Sequence, residues 1–225
     1  MNGDAILHGV SVWVIPVILA ITLHEAAHGY VAHRLGDDTA WRLGRVTLNP
    51  LKHIDPFGTI LLPAIFILSG SPIKFGYAKP VPVNFGALHN PKRDMIWVAA
   101  AGPAANVLMA IAAGLAAHLL PLFPEGVAEW LLENLENMIV LNVLLAVFNM
   151  IPLPPLDGGR VLVGLLPHPL AVPFARLERF GMLILIAVAL IIPAATNGRV
   201  NVIADLISRP ALFLYNLILT VTGHG

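Results

Sequence analysis

The chain has 225 residues, of which 57% are hydrophobic and only 12% are charged. Because soluble domains carry roughly 25% charged residues, this composition is typical of a membrane protein and excludes an ordinary soluble domain. The formal net charge of zero argues against a nucleic-acid partner, and the absence of cysteine excludes disulfides, thiolate metal sites and a cysteine nucleophile.

The first apolar segment, residues 5–33, is long enough to cross a membrane and contains the sequence HEAAH. His24 and His28 share one face of a helix at this spacing, so they can bind one metal ion together. Glu25 lies beside them, where it can accept a proton from a water that the ion activates. Since such side chains are costly inside a bilayer, we interpret them as functional.

A shorter apolar segment, residues 57–68, falls below the roughly 20 residues that a crossing helix needs. We interpret it as a re-entrant or half-helical segment covered by protein, with a sixth, tilted span as the alternative. In the following Tyr77–Asn84, Pro80 and Pro82 lie on one edge of an extended strand and leave the other edge able to pair. This predicts a small membrane-associated β-hairpin or strand, paired with an unwound substrate or internally with Arg45–Leu48.

Four further apolar segments are long enough to cross, at residues 94–120, 130–151, 178–195 and 202–222. Eleven of the 13 Lys and Arg residues flank the first three spans on one side, whereas the connection 121–136 carries only acidic charge. The positive-inside rule therefore predicts spans that run alternately inward and outward, starting inward, with a cytoplasmic C-terminal end. The predicted fold is an all-α polytopic membrane protein with about five full transmembrane helices plus the short segment.

The third metal ligand is expected in residues 149–160, NMIPLPPLDGGR. Catalytic zinc sites usually combine three protein ligands with one open position, and the two histidines supply only two. The prolines stop the third span from continuing as a regular helix, and Gly158 and Gly159 allow a tight turn that exposes Asp157. The alternative is an ordinary interfacial turn with a solvated aspartate.

Together these motifs resemble the site-2 proteases, the family of intramembrane zinc metalloproteases. HEAAH matches the HExxH of that family, and the sequence ending in LDGG matches its LDG motif with upstream Asn149 and Pro152. Ala101–Asn106 matches the GPxxN of its middle core helix. The resemblance extends from about residue 20 to residue 160 and is closest to the minimal prokaryotic branch, which lacks a PDZ or regulatory domain.

This resemblance implies a Zn²⁺ cofactor and five site residues. His24, His28 and Asp157 are expected to bind the zinc ion. Glu25 is expected to take a proton from the attacking water and to pass it to the leaving amine. Asn106 is expected to orient that water or to stabilise the tetrahedral oxyanion, with an interhelical hydrogen bond as the structural alternative.

The whole chain, residues 1–225, is predicted to form one membrane-embedded metalloprotease domain, with a catalytic core at about 5–160 and further helices at about 175–222. The implied activity is hydrolysis of peptide bonds in transmembrane or membrane-proximal segments of other proteins. The expected partners are a transmembrane protein substrate and the lipid bilayer, without nucleic acid; a homo-oligomer is an open alternative. The expected location is the cytoplasmic membrane, with the active site toward the cytoplasm.

Two competing interpretations follow from the same residues. One is a metalloprotease whose zinc ion is completed by Glu178 instead of Asp157, although Glu178 lacks the flanking turn residues. The other is a non-catalytic membrane protein that binds or transports metal, although Glu25 is superfluous to a mere binding site. His53 is interpreted either as an auxiliary metal ligand or as a loop histidine that hydrogen-bonds its own turn.

Overall fold

The computed structural model describes residues 3–53, 55, 61 and 79–225, and every regular element within these ranges is helical. The helices are α1 (Gly3–Arg34), α2 (Thr39–Arg42), α3 (Pro91–Ala117), α4 (Glu125–Asn149), α5 (Asp157–Leu165), α6 (His168–Ala175), α7 (Glu178–Ala195) and α8 (Val202–Val221). A π-helical turn, Ala187–Ile191, lies within α7. Short 3₁₀ turns at Pro50–Lys52, Phe85–Ala87 and Leu120–Leu122 lie in the connections.

Five helices (α1, α3, α4, α7 and α8) are long and apolar enough to cross a membrane, which confirms the five predicted apolar segments. Many of their large apolar side chains face outward, as expected where lipid replaces water around a bundle. The predicted short segment 57–68 lies outside the described residues, apart from Leu61.

The predicted β-hairpin is wrong for the part of the chain that the structure describes. Residues 79–84 form no strand. The N–H group of Lys79 donates to the His53 carbonyl at 2.9 Å, and that of Val81 donates to the Glu25 carboxylate at 2.7 Å. Because these N–H groups bond to a loop and to a side chain, the segment has no regular ladder with a neighbouring strand.

A glycine cap ends α1 and brings residues 79–84 against it. Gly36 adopts a φ of 109°, which favours glycine, and its N–H group donates to the His33 carbonyl. The next residue, Asp37, is buried, and its carboxylate accepts the Asn84 N–H at 2.6 Å. Residues 79–84 are therefore anchored at the same end of α1 that carries the HEAAH sequence.

Helix α3 lies at the centre of the bundle and contacts α1, α4, α5 and α8. Its buried surface consists mainly of small residues, which let the neighbouring backbones approach closely. A core cluster joins α3 to α4 and α8; its buried members are Ala110, Ala113, Ile139, Val143, Ala211 and Ile218.

The contacts define the direction of each helix. We name the end of the bundle formed by Arg34, Pro91 and Asn149 the site end, and the other the opposite end. At the opposite end His8 of α1 lies 2.9 Å from Glu133 of α4, so both helices run toward the site end and α3 runs back.

The last helix, α8, runs parallel to α3, whereas the predicted alternation of spans makes these two helices antiparallel, so the predicted direction of the fifth span relative to the second is wrong. Nε2 of His118, just after α3, lies 2.7 Å from the Thr222 carbonyl. Nε2 of His224 lies 2.9 Å from the Gly114 carbonyl, and the His118 and His224 rings stack with centroids 4.4 Å apart. The C-terminal end of α8 is therefore at the opposite end, beside the C-terminal end of α3.

Helix α8 runs parallel to α3 because the preceding helix, α7, begins and ends near the site end. Its first residue, Glu178, accepts a hydrogen bond from Arg160 at 2.9 Å. Farther along α7, Leu185 is buried in a cluster that also includes Ile203 at the start of α8. A compact turn connects the two helices, with the Gly198 N–H donating to the Pro193 carbonyl at 2.8 Å. Helix α7 is long and apolar enough to cross a membrane, but its contacts return the chain to the site end of the bundle.

We therefore expect α7 to enter the bilayer without crossing it. Because the chain contains no cysteine, single cysteines can be labelled in sealed vesicles with a membrane-impermeant maleimide. Arg93→Cys and Arg199→Cys are expected to react from one side, and Glu129→Cys and Gly225→Cys from the other. Labelling of Gly225→Cys from the same side as Arg93→Cys would contradict the parallel arrangement of α3 and α8.

Candidate metal centre

Three potential metal ligands converge where α1 and α5 meet. Nε2 of His24 and Nε2 of His28, one turn apart on α1, lie 3.0 Å from each other. Oδ2 of Asp157, the first residue of α5, lies 3.3 Å from His24 Nε2 and 3.4 Å from His28 Nε2. All three side chains are buried. Residues more than 120 positions apart in sequence thus form one group that could hold a metal ion.

The hydrogen bonds of the imidazole rings direct both Nε2 atoms toward this group as acceptors. Nδ1 of His28 lies 2.7 Å from the Val98 carbonyl, which can only accept, so Nδ1 carries the proton. Nδ1 of His24 lies 2.6 Å from Oδ1 of Asn106 and is the donor there. A neutral imidazole with a proton on Nδ1 presents a lone pair at Nε2, the form in which histidine binds metals.

The donor set fits a zinc ion. Two imidazole nitrogens and one carboxylate oxygen are the ligands of many catalytic zinc sites, which keep a further position open. Oδ2 of Asp157 is buried and has no hydrogen-bond partner among the described residues. Three acceptors this close together, with an unsatisfied buried oxygen among them, are stable when a cation lies between them.

Gly102 of α3 provides the space beside the two imidazoles. A Cβ atom at this position would overlap Nε2 of His28 and would lie 2.6 Å from Nε2 of His24. A larger residue therefore cannot be accommodated without moving the ligand nitrogens. The glycine of the GPxxN sequence thus has a local role that its position in the motif did not reveal.

Asp157 reaches the histidines because the start of α5 packs closely against the end of α4. A Cβ atom at Gly158 would overlap the Met150 carbonyl, and one at Gly159 would overlap the backbone nitrogen of Pro154. Neither glycine adopts a positive φ. The two glycines were predicted to form a tight turn, but they act by permitting close backbone approach at the start of a helix.

Glu25 is half-buried, and its Oε2 accepts the Val81 N–H at 2.7 Å. The guanidinium of Arg45 holds the same segment from the other side, with Nη2 2.9 Å from the Lys79 carbonyl. Val81 in this segment therefore contacts the predicted catalytic carboxylate directly.

Asn106 is fully buried and contacts His24 through its side-chain oxygen. Its amide nitrogen donates to Oδ1 of Asn142 at 2.7 Å and lies 3.4 Å from the Ala20 carbonyl. In this geometry Asn106 orients the imidazole of His24. Its predicted role toward water or an oxyanion stays a prediction.

The other residues considered from the sequence lie outside the metal group. Nε2 of His53 bonds to the Thr47 carbonyl at 3.0 Å, as expected for a loop histidine. Asn149 donates to the Leu145 carbonyl of its own helix at 3.0 Å. Glu178 pairs with Arg160, which argues against the alternative zinc site that it would complete.

Sequence reasoning did not identify three partners of the site. The Val81 N–H and the Val98 carbonyl are backbone groups, which every non-proline residue carries, so no motif could indicate them. The sequence indicated that the Asn142 side chain has a specific partner, because an amide within an apolar span usually has one. It did not indicate which group that partner is.

Comparisons with known proteins identify a family model and similar chains. Residues 123–192 match the profile of Peptidase family M50. The chain is 37% identical over 175 residues to "Putative zinc metalloprotease YwhC" of Bacillus subtilis (strain 168), which covers 76% of each chain. It is 31% identical over 178 residues to "Putative zinc metalloprotease Rip2" of Mycolicibacterium smegmatis, covering 79% of this chain and 65% of that protein. No solved structure matches the chain significantly.

Proposed function

Because the chain belongs to peptidase family M50, the site-2 protease family, we propose that it is an intramembrane zinc endopeptidase. Its substrates would be transmembrane or membrane-proximal segments of other proteins. The observation that carries this proposal is the convergence of His24, His28 and Asp157 within a bundle of apolar helices, next to the carboxylate of Glu25. A metal transporter would need polar ligands at several depths, whereas these ligands form one compact group.

The Nε2 atoms of His24 and His28 and the carboxylate of Asp157 would hold the ion. When bound, zinc supplies polarisation of a substrate carbonyl and lowers the pKa of water toward about 7. The protein keeps both imidazoles in the correct tautomer through Val98 and Asn106. It also buries the three side chains, and charge interactions are stronger there than in water.

Glu25 would move the protons of the reaction. Its carboxylate accepts a proton as water attacks the peptide carbonyl, and then donates that proton to the amine that leaves. The Val81 N–H holds Oε2 in place, so the carboxylate keeps a defined position beside the two histidines of its own helix.

A helical substrate must unwind near the site, because helical peptide groups are already hydrogen-bonded and sterically shielded. Val81 lies against Glu25, so an unwound segment that passes beside residues 79–84 would reach the carboxylate. We propose this as the way in which the chain presents its substrate.

The active site would face the cytoplasm. The connections at the site end carry most of the basic residues of the chain, and the revised path of α7 adds Arg199 to them. At the opposite end, the first turns of α4 instead carry Glu125, Glu129 and Glu133, and the connection before them has no Lys or Arg. The positive-inside rule then orients the site end toward the cytoplasm of a cell membrane.

Zinc content and peptide cleavage test the proposed function together. The protein, purified in detergent, is expected to contain one zinc ion per chain and to cleave a transmembrane-helix substrate, with both properties lost after treatment with a strong chelator. A well-folded parent protein that binds no zinc would overturn the proposal at its first step.

Val81→Pro is expected to lower cleavage by roughly 10-fold to 100-fold, because proline removes the N–H group that positions Glu25. Zinc content should stay at the parental value, since Val81 does not contact the metal group. Val81→Ala is the matched control, because it keeps the N–H group and loses only side-chain packing. Equal activity of Val81→Pro and Val81→Ala would show that this hydrogen bond does not position the base.

A further inference from the structure

A chain of buried amide groups connects α4 to the metal centre. Nδ2 of Asn142 donates to the Met138 carbonyl at 2.8 Å. Oδ1 of Asn142 accepts from Nδ2 of Asn106 at 2.7 Å, and Oδ1 of Asn106 accepts from Nδ1 of His24 at 2.6 Å. Both asparagines are fully buried, so water does not compete for these bonds.

The direction of every bond in this chain follows from its first member. The Met138 carbonyl can only accept, so Asn142 must turn its NH₂ group toward it and its oxygen toward Asn106. Asn106 must then turn its NH₂ group toward Asn142 and its own oxygen toward His24. The Ala20 carbonyl, 3.4 Å from the same NH₂ group, favours this orientation as well. The proton of a neutral His24 imidazole is thereby held on Nδ1, and Nε2 keeps its lone pair.

The two histidines differ in how firmly their protonation is set. His28 bonds to the Val98 backbone carbonyl, which has no alternative orientation. His24 bonds to a side-chain amide, and rotation of that amide by half a turn would exchange its oxygen for an NH₂ group. The rotated Asn106 would favour a proton on Nε2 of His24, the atom that faces the metal group. His24 therefore needs a partner that prevents this rotation.

We propose that Asn142 is this partner: a positioning residue that orients Asn106 and, through it, keeps His24 competent to bind zinc. Asn142 touches neither the metal ligands nor the substrate, so it acts only through Asn106. This inference rests on the proposed function only in so far as His24 binds the zinc ion. The competing explanation is that the two asparagines join α3 to α4 and affect stability alone.

The first test measures zinc affinity by chelator competition in Asn142→Leu, which has a similar branched shape and removes both hydrogen bonds. We expect the affinity to fall about 10-fold, at the lower end of the effect of outer partners of metal ligands. Asn134→Leu is the matched control, because Asn134 is buried in the same helix and donates to its own Trp130 carbonyl at 2.9 Å. The control should keep the parental affinity. If Asn142→Leu does not fold, Asn142→Ala carries the same test without added volume.

A double-mutant cycle separates positioning from structural support. If Asn142 acts through Asn106, then Asn142→Leu should cost no further zinc affinity once Asn106→Ala is present. Independent, additive losses would overturn the proposal. Nitrogen-15 NMR of the metal-free protein gives a readout that does not involve catalysis: the parent should show His24 protonated on Nδ1, and Asn142→Leu a mixture of the two tautomers.

The outcomes also distinguish this inference from the proposed function. A parent protein without zinc or cleavage would contradict the proposed function. A parent that binds zinc and cleaves, with Asn142→Leu equal to Asn134→Leu in zinc affinity and in His24 tautomer, would overturn the role of Asn142 alone. A lower melting temperature at parental zinc affinity would favour the structural explanation and would likewise overturn it.

Discussion

Glu25→Gln is expected to lower cleavage about 10²-fold to 10⁴-fold, the range typical of a lost general base, while zinc stoichiometry stays at the parental value. Glutamine has nearly the same shape and keeps an oxygen that can accept the Val81 N–H, but it cannot take up a proton from water. The reaction would therefore lose its proton acceptor and keep its metal. Cleavage of a transmembrane-helix substrate and zinc analysis of the same preparation check this result.

Glu178→Gln is the control for the Glu25 experiment. Glu178 is an acid at the site end that pairs with Arg160, and an ion pair this exposed contributes only about 0–1 kcal/mol. We expect this variant to keep both zinc and activity, which would also eliminate Glu178 as a metal ligand. Near-parental cleavage by Glu25→Gln would mean that another group activates the water.

Gly102→Ala is expected to abolish stoichiometric zinc binding, with a loss of affinity of about 100-fold or more, above the usual effect of outer-shell changes. The added Cβ atom would occupy the space of the imidazole nitrogens, lying 2.6 Å from Nε2 of His24. The imidazoles must move apart, and overpacking of this kind costs about 1–3 kcal/mol. Zinc titration of the purified variant, with circular dichroism to verify its helical content, checks the result.

Two reference variants define the scale of the Gly102 experiment. Gly126→Ala adds the same methyl group to α4 in open space, with no atom within 4 Å, and should bind zinc like the parent. Asp157→Asn removes the charge of one ligand without adding volume and should also lose zinc. Parental zinc affinity in a folded Gly102→Ala would show that the ion lies away from this glycine, and would exclude the centre described above.

The site residues that local spacing can bring together were predictable. His24, Glu25 and His28 lie on one turn of a helix, and the period of a helix places the two histidines on one face. The association of Asp157 with them is a long-range contact, for which the sequence offered the need for a third ligand, the prolines and glycines around Asp157, and motif resemblance. The structure brings the three potential ligands together, and it assigns Asn106 to the orientation of His24.

The sequence by itself determined the membrane character, the apolar helices and the chemical types of the potential ligands, because hydropathy and helical period depend on neighbouring residues alone. Only the tertiary structure decided that α8 runs parallel to α3 and that residues 79–84 contact Glu25 instead of forming a strand. It also decided that Asn142 accepts a hydrogen bond from Asn106. The free energy of transferring an apolar segment into lipid is nearly the same whichever way its chain runs. Hydropathy therefore cannot determine the direction in which each helix of a pair runs. Backbone donors and buried amides acquire their partners only when distant helices pack together.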